Sequence, residues 1–183
     1  MKETIRFFSP TSFAPALGLM ARQAFSEAFA YLYDPVPFKQ FLDEAYGPAG
    51  KMERDFTNPA IRWRVAAIED QPIGYAKLSP LAAPAPAPQP GSMELQQIYV
   101  LRSWHGRGVA EELMKWAIDT SCAEQAPEIY LTVFDHNIRA KRFYTRHGFS
   151  EVGRCTFRLG DRVDDDRVWR KTLFASPKQN AIC

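Results

Sequence analysis

Cysteine and histidine are both rare in this chain, and each is scattered. Three cysteines (Cys122, Cys155, Cys183) and three histidines (His105, His136, His147) in 183 residues show no paired or ligand-like spacing. A disulfide framework and a zinc site are thereby excluded, and the cysteines read as reduced thiols with no metal expected. No apolar run approaches the roughly 20 residues of a membrane helix. The start, Met1-Lys2-Glu3-Thr4-Ile5, leads into a strand-like segment and not a signal sequence, so a cytoplasmic protein without a membrane partner is expected. An excess of either charge is also missing: 23 basic against 21 acidic residues leave +2, too little to make nucleic acid the main partner.

What is present is apolar and aromatic: 46% hydrophobic and 13% aromatic residues are enough for a sizeable core. Residues 1–175 are expected to form one domain and 176–183 a C-terminal tail. Ile5 to Phe8 reads as a strand, and Ser9-Pro10-Thr11-Ser12 as a turn able to cap a helix carrying Leu17, Ala21, Ala24, Phe25, Ala28 and Leu32 at helical spacing. Pro35 and Pro37 mark a break before a second helix through Phe38, Phe41, Leu42 and Tyr46. From Ile61 the apolar period changes to two, predicting a hairpin that turns at Glu69-Asp70-Gln71-Pro72. Pro80, Pro84, Pro86, Pro88 and Pro90 then predict an extended loop. Beyond it come a strand over 94–101, a helix from Val109 to near Glu124, a strand over 129–134, a helix over 137–147, and strands near 150–159 and 167–174. This alternation predicts an α/β sandwich.

Two segments carry chemistry. In His105-Gly106-Arg107-Gly108-Val109-Ala110 a strand ends in a loop with two glycines and a helix begins at once. Such a helix start presents unpaired amides at the positive end of its dipole, a natural seat for phosphate. The dinucleotide fingerprint would need glycine at 111, where Glu111 stands, and a P-loop would need Gly-Lys-Ser/Thr, which is absent. A plain turn into a helix remains open on this segment alone. The second segment, Asn137-Ile138-Arg139-Ala140-Lys141-Arg142-Phe143-Tyr144, closes with Gly148-Phe149. Ala140, Phe143, Tyr144 and His147 share one helical face, so Tyr144 also fits a packed core tyrosine. Asn137 fits a helix cap, and Arg139, Lys141, Arg142 and Arg146 a solvated basic face.

In this order and separation the two segments resemble the GNAT superfamily of acetyl-CoA-dependent N-acetyltransferases, over about residues 60–173. The resemblance implies a GNAT-type α/β fold, a mixed, mostly antiparallel sheet of about seven strands flanked by about four helices. It implies that residues 105–110 cradle the acetyl-CoA pyrophosphate, His105 standing where Gln or Arg is usual. By the same resemblance Ile98, Tyr99 and Val100 lie along the pantetheine, one amide near them polarises the thioester carbonyl, and Asn137 and Ala140 face the cofactor. Tyr144 is then the general acid beside the sulfur. Glu94, eleven residues before His105, is the expected general base, directly or through water. A base is needed because an amine of pKa about 10.4 is almost wholly protonated at pH 7. A surface strand glutamate is the competing role for Glu94.

Diffuse similarity in 24–29, 38–46, 94–100, 157–161 and 171–173 resembles bacterial polyamine acetyltransferases, which implies a small-molecule amine such as spermidine as acceptor. A protein lysine or N-terminus, or a non-catalytic CoA-binding module, stays open, as does a homodimer. Asp34, Asp43, Glu44 and Asp164 to Asp166 could supply counter-charges to a cationic acceptor, and each fits a solvated loop or helix residue equally well.

Overall fold

The computed structural model describes residues 4–174; the expected tail at 176–183 lies outside the described residues. The chain builds a seven-stranded sheet in the order β1-β2-β3-β4-β5-β7-β6. Its strands are β1 (Ile5–Phe8), β2 (Arg62–Ile68), β3 (Gln71–Pro80), β4 (Met93–Val100), β5 (Glu128–Phe134), β6 (Ser150–Leu159) and β7 (Arg162–Thr172). Every neighbouring pair is antiparallel except β4 and β5. This is the expected GNAT-type fold.

The helices are α1 (Pro15–Phe29), α2 (Pro35–Tyr46), the five-residue α3 (Lys51–Asp55), α4 (Val109–Ala123) and α5 (Ile138–Arg146). Helix α1 is capped by Ala14 without a side-chain bond, and Pro15 opens it, so the Ser9–Ser12 turn does not cap it. Pro35 and Pro37 lie inside the first turn of α2. The prolines do not precede that helix; they start it, because first-turn N–H groups have no intrahelical acceptor to lose. No helix among the described residues is long and apolar enough to cross a membrane.

Each sheet face carries its own apolar cluster. On one, α4 packs Val109, Leu113, Met114 and Ala117 against Leu78, Leu95, Ile129 and Leu131, with Tyr144 of α5 in the same cluster. On the other, Leu17, Ala21, Ala24 and Phe25 of α1 and Phe38, Leu42 and Tyr46 of α2 pack against Trp63, Val65 and Tyr75.

Two irregularities open the middle of the sheet. Strand β4 pairs with β5 only at Met93 with Ile129 and Glu94 with Tyr130. Opposite β3 its register jumps, Lys77 facing Gln97 but Leu78 facing Leu95, which leaves Gln96 as an extra residue. A bulge bends its strand and sharpens the local twist. From Leu95 to Val100 the β4 edge facing β5 therefore has no strand partner.

The proline-rich loop is fastened across the sheet by two buried carboxylates. Glu94 Oε2 accepts the amides of Ala82 and Ala83 at 2.9 and 2.8 Å. Glu128 Oε2 accepts from the Gln89 amide at 3.1 Å and the Tyr130 hydroxyl at 2.8 Å, and the Ser92 hydroxyl lies 3.2 Å away.

Candidate functional site

Between the parted strands runs a cleft of about 840 Å3, ample for an extended small-molecule ligand. Leu95 to Val100 of β4 form one lip and Thr132 to Phe134 of β5 the other.

At one end lies the glycine loop. Gly106 and Gly108 have φ of 74° and 79°, left-handed values that side chains rarely adopt, and a Cβ on either would meet nothing within 4 Å. Open space therefore faces both glycines. Helix α4 starts at Gly108 with no side-chain cap, which leaves its first amides available to an external acceptor. This is what a pyrophosphate requires. His105, Gly106 and Ala110 line the cleft, whereas the Arg107 guanidinium stacks on Trp104 at 4.5 Å and Val109 is buried in the core. Arg107 and Val109 are outside the cleft lining, which leaves them the backbone part in the cradle that was expected of this segment.

His105 has a defined task. Its Nε2 donates to the Val100 carbonyl at 2.9 Å, and its Nδ1 accepts from Arg139 of α5 at 2.6 Å. Burial lowers its pKa, with the Arg139 guanidinium adding to the effect against the Val100 bond. The neutral ring thus holds the end of β4 to α5, and Arg139 lines the cleft beside it. Asn137 caps α5, its side chain accepting the Ala140 amide at 3.1 Å, and both residues also line the cleft.

Ile98, Tyr99, Val100 and Tyr144 join the same lining. Tyr144 is 9% exposed, and its hydroxyl has no hydrogen-bond partner among the described residues. Burial raises its pKa, so it stays a neutral O–H, able to donate. Glu94 is not brought to this group. It lies outside the cleft lining, with its carboxylate engaged by the Ala82 and Ala83 amides. The loop amides, not the bulge, account for this: Met93, Leu95, Ile98 and Val100 share one apolar cluster and Tyr99 belongs to the other, so the alternation flips between Leu95 and Ile98 and Glu94 lies on the face of Tyr99, where its carboxylate is taken up by the 81–92 loop. Glu94 and Ile98 consequently lie on opposite faces.

At the other end the cleft is walled by Phe25, Phe29, Tyr33, Phe41, Tyr46, Tyr99 and Phe157, with Asp164 and Asp166 among them. Phe25 packs against Phe41 at 5.0 Å and Tyr99 at 6.0 Å, and Phe41 meets Phe157 edge-on at 5.7 Å. Gln97 accepts from the Tyr75 hydroxyl at 2.9 Å and donates to Tyr46. The acidic run Asp164-Asp165-Asp166 was open to two roles, counter-charges to a cationic acceptor or solvated residues, and β7 was expected only from Arg167. The missed sign is Gly160-Asp161. Leu159 pairs with Arg162 and Gly160 has φ 59°, a two-residue hairpin turn that starts β7 at once.

With this geometry in hand, likeness to known proteins becomes informative. The sequence profile of the Acetyltransferase (GNAT) family matches residues 21–149. The chain belongs to this family. It is an N-acetyltransferase with acetyl-CoA as its donor, and the uncapped helix start and open glycine loop fit that donor. An uncharacterised N-acetyltransferase of Lactobacillus delbrueckii subsp. lactis is 24% identical over 159 residues, 87% of this chain and 91% of the relative. A probable spermine N(1)-acetyltransferase of Bacillus subtilis subsp. natto is 32% identical over 75 residues, 40% of this chain and 48% of that one. Among solved GNAT folds, the PaiA N-acetyltransferase of Thermoplasma acidophilum in complex with coenzyme A superposes with a TM-score of 0.72 at 18% identity, covering 92% of this chain and 99% of the other.

Proposed function

We propose that this GNAT enzyme acetylates a primary amine of a small polycation, of the polyamine class, by direct attack with donor and acceptor bound together. The observation that carries this is the continuous cleft, with a phosphate-type loop at one end and a chamber of aromatic rings and carboxylates at the other. Aromatic faces attract ammonium groups, the more so when desolvated. The partial likeness to a probable spermine acetyltransferase supports the same class.

Acetyl-CoA supplies an acetyl group on a thioester whose sulfur can leave. Backbone amides of Gly106 to Ala110 would hold its pyrophosphate, and the free β4 edge from Ile98 to Val100 its pantetheine, as an added strand. Tyr144 donates a proton at the sulfur. Tyr144→Phe, which removes only that donor, is expected to lower kcat about 10-fold and leave KM for acetyl-CoA unchanged. An unaltered kcat, with chemistry limiting, would return Tyr144 to a packing role.

The acceptor class is tested by measuring CoA release with spermidine, spermine, a monoamine and lysine peptides. Spermidine is expected to be preferred over the monoamine. Its KM should rise with ionic strength more than that of acetyl-CoA, because charge attraction at a solvent-connected site is screened. Equal turnover of the monoamine, or acetylation of peptides alone, would refute the polyamine class.

A further inference from the structure

Three carboxylates line the cleft, and they are not equivalent. Glu111 lies at the donor end, in the first turn of α4. Asp164 is buried and committed: its Oδ2 accepts the Tyr33 hydroxyl and its Oδ1 accepts Arg162 Nε at 2.6 Å. Asp165 pairs with Arg167 on the far side of the strand. Asp166 alone of this acidic run has no hydrogen bond and no ion pair among the described residues, although it is partly buried. A carboxylate that lines the cleft beside aromatic rings and holds no protein cation is free to receive one from a ligand.

We propose that Asp166 receives the acceptor's ammonium group and serves as the general base, the Glu94 carboxylate being engaged by the Ala82 and Ala83 amides outside the cleft lining. This rests on the amine-acetylation reading above. The surroundings agree. Asp166 faces Phe134 of β5 and Cys155 of β6 across the sheet. The groups acting on it electrostatically are Asp164 and Asp165 on its own strand, the Cys155 thiol, Tyr99 of β4 and Tyr33 after α1. Asp135, the residue after β5, is paired with Arg167 and Lys141. Among the described residues no cation makes a hydrogen bond or ion pair with Asp166. Burial, then the charges of Asp164 and Asp165, push its pKa up to about 6, nearer the operating pH, as suits a general base.

The proton count closes. One ammonium proton passes through Asp166 to solvent and frees the nitrogen lone pair. That pair forms the C–N bond, the C–S bond breaks, and a second proton leaves nitrogen for Asp166. Tyr144 gives its proton to the sulfur and regains one from solvent, so one proton is released per turnover.

Asp166→Asn is the test, with spermidine as acceptor. Wild-type kcat/KM is expected to rise with pH through about 6, and the variant to lose that limb and about 100-fold in kcat/KM at pH 7, with KM for acetyl-CoA unchanged. Stability should move the opposite way. A carboxyl whose folded pKa is raised favours the folded state while protonated, and that advantage is lost as pH climbs from the unfolded value of about 3.9 through about 6. Tm of Asp166→Asn should thus exceed wild type at pH 8 and converge with it near pH 4. Asp164→Asn, which strands Tyr33 and Arg162, should lower Tm. A wild type active on spermidine beside an Asp166→Asn variant that keeps the limb and the rate would overturn the assignment alone, as would an equal loss of Tm at both pH values. A wild type that acetylates no amine would instead defeat the underlying function, and this assignment with it.

Discussion

Gly108→Asp is expected to weaken CoA binding at least about 100-fold, about 3 kcal/mol, in a protein that still folds. Gly108 sits at φ 79° with no atom within 4 Å of where its Cβ would be, so the new carboxylate would project into open space at the cap of α4. It would add a negative charge to a first turn that already carries Glu111 and Glu112, where the bound pyrophosphate must approach. The left-handed backbone adds strain of roughly 1–2 kcal/mol for any L side chain. Gly108→Ala isolates that strain: it should lower stability with a smaller effect on affinity. Calorimetry with CoA checks both variants, and unchanged affinity in folded Gly108→Asp would remove the loop from the donor site.

Glu128→Ala should produce the largest loss of stability, about 3–5 kcal/mol, or a fall in Tm of roughly 10 °C for a chain of this size. Glu128 is 2% exposed. Burial alone would raise its pKa, but hydrogen bonds from Gln89 and Tyr130 and the charge of Arg170, whose Nη1 lies 3.1 Å from Oε1, hold it below the usual range. Truncation would strand all of these partners. Because the folded pKa is depressed, the stabilisation is present above the unfolded value of about 4.3 and is lost as pH falls through the lower, folded one; the gap between variant and wild type should therefore narrow in acid. Thermal melts at pH 7 and pH 3 measure this, and limited proteolysis should cut the 81–92 loop in the variant first. A loss under about 1 kcal/mol at pH 7 would mean that the loop is held by other contacts.

Much of the fold was legible because its periodicities are long. Helix α4 and the β2–β3 hairpin follow directly from apolar spacing, and the glycine loop from its residue types. Helix α3, only five residues, falls below the length at which a helical period is visible. Asp164 to Asp166 were visible as possible counter-charges but not as strand, because Asp is depleted in strands; in β7 Tyr33, Arg162 and Arg167 answer two of the three. The role expected of Glu94 came from resemblance, on its place eleven residues before His105. Its engagement by the Ala82 and Ala83 amides depends on the path of the 81–92 loop, which spacing along the chain does not reveal. Tyr144 and Asn137 were open to two roles each, and for Asn137 the structure holds capping and cleft exposure together.

The sheet also keeps the two ends of the cleft on separate supports. The rings around the proposed acceptor chamber, Phe25, Phe41 and Phe157, belong to the cluster on the α1–α2 side of the sheet, while Val109 and Tyr144 belong to the cluster on the α4 side. Sequence drift in the first group can therefore reshape the choice of amine without disturbing the packing that supports the donor loop. A descendant of this gene can acquire a new acceptor by altering one side of its sheet while the other keeps its ancestral form.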